Sequence, residues 1–170
     1  PTDYVYMHKL TVFPLNEWKH FGLLQSTIHD IWARSFSSTL ETRLNYSPTN
    51  CFESFTFPLT INNLEEIGQR YYTHRQTIMT TRQEGLTKTY NHFHDPNCTD
   101  PDIQTLRTLH TEMDHAVAAA YGWQDLALDH GFHETKQGLR YTISDTVRRE
   151  VLDRLLALNH ERYAEEVTQG

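Results

Sequence analysis

Two runs of this sequence carry the side chains best suited to chemistry. The first, Arg34 to Thr49, gathers Arg34, Ser37, Ser38, Thr39, Arg43, Tyr46, Ser47 and Thr49. Guanidinium, hydroxyl and phenol groups are the ones that hydrogen-bond phosphate oxygens and base edges. The same residues also describe an ordinary polar loop with Arg43 paired to Glu41 or another acid, and taken alone they leave both readings open. The second run holds Lys136, Arg140, Arg148 and Arg149, which a hairpin feeding a helix could lay along a groove. Acidic residues outnumber basic ones in the same last third of the chain, so a solvated hairpin docked on helices is the alternative.

Eleven histidines raise the question of a metal. His92 and His94 stand two apart with Asp95 and Cys98 nearby, donors that zinc accepts, but the spacing is loose and no second ligand pair follows. His130, His133 and Glu134 approach an HExxH pattern, which needs a histidine where Gln137 stands. No metal site is expected. The chain has no GxSxG elbow, no phosphate-cradling GxxxxGKS/T loop and no GxGxxG turn, so no catalytic residue is expected either.

Charge narrows the use of the two runs. The net charge is -7, and none of the three thirds of the chain is basic. A free-standing nucleic-acid binder normally presents a basic face. Contact with DNA would therefore run through a few placed side chains within a larger protein that supplies the attraction. The chain starts at Pro1-Thr2 without an initiator Met, which suggests a piece of a longer protein. Cys51 and Cys98 lie far apart with no CxxC partner, a usage that fits a reducing cytoplasm, and no apolar run is long enough for a membrane span. A length of 170 residues allows one large domain or two small ones.

The elements that must position these residues read as follows. Residues 4 to 13 suit a strand ending at Pro14, and Asn16 can cap one helix carrying Phe21, Leu24, Ile28, Ile31 and Trp32 down to about Ser35. A short strand is expected around Thr42 to Tyr46, followed by a buried strand through Phe52, Phe55 and Phe57. Asn62 or Asn63 begins a helix with Ile67, Tyr71, His74 and Ile78 on one stripe and Arg75 and Arg82 on another. Residues 85 to 101 read as a loop with two Asp-Pro breaks. Asp100 and Pro101 then start the clearest helix, with Ile103, Leu106, His110, Met113, Val117 and Ala120 on its buried face and Gly122 at its end. Its spacing predicts antiparallel packing on the preceding helix. A hairpin at about 132 to 143 turns through Lys136-Gln137-Gly138, and Ser144 caps a last helix buried through Val147, Val151, Leu155 and Leu158. The fold class is mainly α with a minor β component (α+β): short N-terminal strands, a helical middle, and a β-hairpin followed by a C-terminal helix.

Three longer runs carry a resemblance. "LLQSTIHDIWARSFSSTLETRLNYSPTNCFESFTFP" resembles the end of the target recognition domain of MmeI-like (type IIL) restriction-modification methylases and related phage-defence DNA methyltransferases. "LHTEMDHAVAAAYGW" is similar to the helix that follows it there, and "HGFHETKQGLRYTISDTVRREVLDRLLALNHERYAEEV" to the C-terminal tail. The resemblance covers about residues 20 to 167 and is weakest over 83 to 100. It implies that residues 1–58 end a target recognition domain and that 59–170 form a C-terminal helical domain. The parent would be an S-adenosylmethionine-dependent adenine-N6 DNA methyltransferase, with the methyl donor bound elsewhere in that chain and no cofactor in this segment. The implied partners are double-stranded DNA, through the parent, and the rest of the methyltransferase chain, with no membrane. Arg34, Ser37, Ser38, Arg43, Tyr46 and Ser47 are the positions this resemblance places near DNA; Lys136 and Arg140, from the hairpin run above and not from the resemblance, are a second candidate contact. A helical protein-protein interaction module of a defence complex is the competing expectation.

Overall fold

A computed structural model describes residues 11–40 and 43–169, with the side chains of 38–40, 43 and 44 outside the described residues. The strand expected over residues 4 to 13 falls mostly outside them, and 11–16 are irregular. The single helix expected from Asn16 to Ser35 is two helices, α1 (Trp18–Gln25) and α2 (Thr27–Phe36). Ser26 makes the break. Its hydroxyl donates to the Leu23 carbonyl at 2.7 Å and accepts from the His29 amide at 3.3 Å, ending one helix and capping the next. A hydroxyl that can satisfy backbone groups on both sides competes with helix continuation, which the apolar spacing does not reveal.

Two three-residue strands follow, β1 (Ser38–Leu40) and β2 (Arg43–Asn45), paired antiparallel with Ser38 opposite Asn45. The aromatic stretch after them is no strand: Pro48–Glu53 forms a short π-helical turn, with the Ser47 hydroxyl accepting from the Asn50 amide at 3.4 Å. The burial expected there is found in part, since Phe55 is buried and packs edge-on against Phe57 at 5.5 Å. Proline at the first helical position and a serine cap outweigh the aromatic spacing.

Next comes α3 (Glu65–Arg82), with Glu65 and Glu66 at its start and Arg82 at its end, as the helix dipole favours. Residues 86–94 are not loop but a further helix, α4 (Leu86–His94). Its exposed end is closed from a distance. The Arg107 guanidinium donates to the carbonyls of His92, Phe93, Asp95 and Cys98 at 2.8–3.0 Å, the acceptors that a helix end leaves unsatisfied. The long helix α5 (Pro101–Ala120) has proline at its first position as expected. Asp100 makes no cap; Arg82 donates to its carboxylate at 2.8 Å and also grips Asp102. Contacts running from Arg82–Asp102 through Arg70–Glu112 to Asn63–Ala116 show that α3 and α5 lie antiparallel.

The hairpin is β3 (His130–Thr135) and β4 (Gly138–Ile143), paired so that Thr135 faces Gly138. Gly138 has φ +88°, the left-handed region a tight turn requires and glycine tolerates. A helix of 25 residues, α6 (Asp145–Gln169), closes the described chain. One buried cluster joins all of this: Leu23, Ile28 and Trp32 from the first two helices meet Tyr71, Phe93, Leu106, Met113, Ile143 and Leu155. Full burial of each such side chain stabilises by roughly 1.5–3 kcal/mol. Close approach of α1 and α3 depends on Gly68, where a Cβ would collide with the Trp18 carbonyl. The mainly helical α+β class expected from the sequence is the one observed. No helix of the described residues is long and apolar enough to cross a membrane.

Candidate nucleic-acid interface

Arg34 of the first run and the cations of the second meet at one cleft. Arg34 comes from the last turn of α2; Lys136 and Arg140 come from the hairpin; Arg148 and Arg149 come from the first turns of α6. Two adjoining concavities hold them, one of about 360 Å³ and one of about 590 Å³, with Arg34, Thr135, Gln137 and Arg148 lining both. Arg140 belongs to the smaller, Lys136 and Arg149 to the larger.

Ion pairing leaves these cations available. Among the described residues Lys136, Arg140 and Arg148 form no ion pair. Arg34 pairs with Asp30 at 2.7 Å and Arg149 with Asp145 at 2.6 Å, both along a single exposed helix turn. Such exposed pairs are worth only about 0–1 kcal/mol, so an incoming anion can displace either carboxylate. Glu134 is the remaining acid at the cleft.

Beneath the smaller concavity lies a buried polar network. The Asp114 carboxylate, 0% exposed, accepts from the Thr27 amide at 2.8 Å and bonds His130 Nε2 at 2.9 Å. The Thr27 hydroxyl meets His110 Nε2 at 2.9 Å. Burial alone would push the Asp114 carboxyl up, but His110 and His130 outweigh it and hold it below the usual carboxylate range. Burial lowers the pKa of His110, against the pull of Asp114. An anion at the amino end of α2, matched to the helix dipole, is the outcome. His94 also lines this concavity; its Nδ1 accepts from the Tyr141 amide at 3.2 Å, which fixes the ring proton on Nε2. Burial first, and the nearby Arg140 guanidinium second, push the pKa of His94 down to about 4.

Other residues expected at a DNA surface lie elsewhere. The Ser37 hydroxyl is 3.2 Å from Cys51 Sγ, Ser47 caps the π-helical turn, and Tyr46 shares a 3.0 Å hydrogen bond with His29. Burial pushes the Tyr46 phenol up to about 12. None of the three lines the cleft. Ser38 and Arg43 sit on the paired backbones of β1 and β2, and their side chains lie outside the described residues. Residue type and spacing do not single out His94, His110, Thr27 or Gln137 for this surface. A signal for His110 exists, since a histidine on the apolar stripe of α5 has to find a partner indoors. On α4, His92 approaches Glu84 at 3.5 Å. Among the described residues no group of three or more His, Cys, Asp or Glu side chains is arranged to hold a metal.

Fold and cleft together define a mainly helical α+β domain with a cationic cleft over a buried Asp-His network. Residues 1–59 match the family model of the MmeI target recognition domain. The fold is similar to that of a chain in the solved structure of the type IIL restriction-modification enzyme MmeI in complex with DNA, with a TM-score of 0.54 and 21% identity. That similarity covers 89% of this chain and 17% of the other, so the present chain spans a small part of that protein's length. No curated protein matches the chain. The resemblance read from the sequence is thus met again in a family match and in a fold.

Proposed function

We propose that this chain is a non-catalytic DNA-recognition segment of a larger site-specific methyltransferase. The observation that carries the reading is the match of residues 1–59 to the MmeI target recognition domain. Geometry adds the means: cations from α2, the hairpin and α6 converge on one open cleft of a chain that is otherwise acidic. Phosphate contacts of this kind fix register and orientation on a duplex, while base contacts specify sequence. The parent would transfer a methyl group from S-adenosylmethionine to adenine N6 in a restriction-modification or phage-defence system of the cytoplasm. Residues 1–58 would end its recognition domain, with 59–170 bracing them.

Binding of duplex DNA by the full-length parent protein, followed against salt, tests this. The Lys136→Glu/Arg149→Glu double variant is expected to weaken binding and flatten its salt dependence. Equal binding by both proteins at every salt concentration overturns the cleft's role. In the parent, Arg43→Ala is expected to reduce DNA binding or methylation without unfolding the domain.

A second reading has its own observation. Near the end of α6, Tyr163 and Val167 are 66% and 65% exposed, an apolar pair suited to a protein partner such as the rest of the parent chain or a defence complex. Tyr163→Glu that abolishes assembly and spares DNA binding would favour that use.

A further inference from the structure

The smaller concavity is more than the end of a phosphate-tracking groove. Its lining includes Arg34, Arg140 and Arg148 together with Tyr90 and Tyr141, which pack over the buried ring of Phe93. Its volume, about 360 Å³, is too large for an inorganic anion alone and stands at the lower end of the ~300–1,000 Å³ range of small-molecule sites. Two polar side chains within it have hydrogen-bonding capacity to spare. His94 keeps an Nε2–H donor, because its Nδ1 is taken by the Tyr141 amide. His110, 8% exposed, lines the concavity with a buried Nδ1 that has no partner.

Cations, rings and spare imidazole nitrogens in one lining together suit one kind of ligand: a planar heteroaromatic ring that carries a phosphate. We propose that this concavity binds a single nucleotide, its base inserted beside Tyr90 and Tyr141 and its phosphate held at Arg140 and Arg148. Bases stack on aromatic side chains without regard to sequence, and guanidiniums grip phosphate in a planar fork. Neutral imidazoles offer a ring edge both a donor and an acceptor. Burial lowers the pKa of both His94 and His110. The nucleotide can come from a DNA strand, as an unpaired unit swung out of the stack, or from solution. The proposal rests on the DNA reading of the adjoining groove for the first source only.

Adenosine monophosphate, inorganic phosphate, a fully paired duplex and the same duplex with one unpaired adenosine are the probes, with binding followed by calorimetry on the 170-residue protein. Two variants separate pocket from groove. Gln137→Trp, at an exposed turn position, fills the mouth; Arg140→Gln removes a cation from it. The nucleotide is expected to bind more tightly than inorganic phosphate, to lose about tenfold in affinity in Arg140→Gln, and to be excluded by Gln137→Trp. The unpaired adenosine is expected to tighten duplex binding in the wild type and to have no effect in Gln137→Trp. If adenosine monophosphate binds and the unpaired base has no effect, the source is solution. If adenosine monophosphate binds no better than phosphate and the unpaired base changes nothing, the proposal is overturned. Loss of fully paired duplex binding in the Lys136→Glu/Arg149→Glu variant reports on the groove alone, so either reading can fail while the other stands.

Discussion

At one end of α2 the polar groups are buried and bonded to one another; at the other they face an open cleft. The amino end places the Thr27 amide on Asp114, itself held by His130 and close to His110, with Asp114 0% exposed. The carboxyl end presents Arg34, whose pairing to Asp30 is exposed and weak. Seven positions along one helix, from Thr27 to Arg34, separate a charge that must keep its partners from charges that are free to change theirs. Burial decides the difference. Water compensates a lost partner at the cleft, and nothing compensates one in the network.

The largest test of that contrast is Asp114→Ala. Removing the carboxylate leaves the Thr27 amide and His130 without their partner inside the core. A loss of about 3–5 kcal/mol is expected, read as a shift in the urea midpoint with an unchanged slope. A loss below about 1 kcal/mol would mean that the network is solvated and the contrast does not exist.

The pH dependence follows in size. Burial pushes the pKa of His29 down to about 4, from 6.5 in an unfolded chain, partly offset by Asp30. Between those values the unfolded chain binds a proton that the folded protein refuses. Stability is therefore full above about pH 6.5 and falls as pH drops toward 4, by on the order of 3 kcal/mol from His29. His94 adds to the fall in the same window with a smaller share, because it is more open to solvent. Thermal unfolding measured from pH 7 to 4.5 checks the sign, and His29→Gln should flatten the curve.

Tyr46 lies between the two regimes. Its hydroxyl bonds His29 at 3.0 Å, so Tyr46→Phe is expected to lower stability by about 1 kcal/mol. Reduced DNA affinity with no loss of stability would move Tyr46 to the side of the cleft.

Legibility in the sequence divides along similar lines. The helix starting at Pro101 and the hairpin turning at Gly138 were readable because proline at a first position and glycine at a positive φ are local demands. The helix at Leu86–His94 was not, because the group that closes its end, Arg107, arrives from α5 and leaves no local signature. Ser26 breaks a helix whose apolar spacing continues through it, and the π-helical turn at Pro48–Glu53 hides inside an aromatic run. The cleft was half legible. Its cations were named from residue type, but their meeting depends on how the hairpin and α6 pack over α2, a long-range arrangement that spacing does not encode. Composition pointed to Ser37 and Ser47 as readily as to Arg34, and only the packing puts Arg34 in the cleft and the two hydroxyls outside it.

Arg148→Ala gives the smallest effect on stability and the sharpest test of the comparison. Arg148 is half-buried, lines both concavities, and forms no ion pair among the described residues. Its loss should change stability by no more than about 0.5 kcal/mol, because no partner is stranded. If the guanidinium neutralises one phosphate, the slope of log affinity against log salt should fall by about 0.9. A structural role would give the reverse, with lower stability and an unchanged slope. The two measurements on one variant therefore separate a cation held for a ligand from one held for the fold, which is the distinction between the two ends of α2.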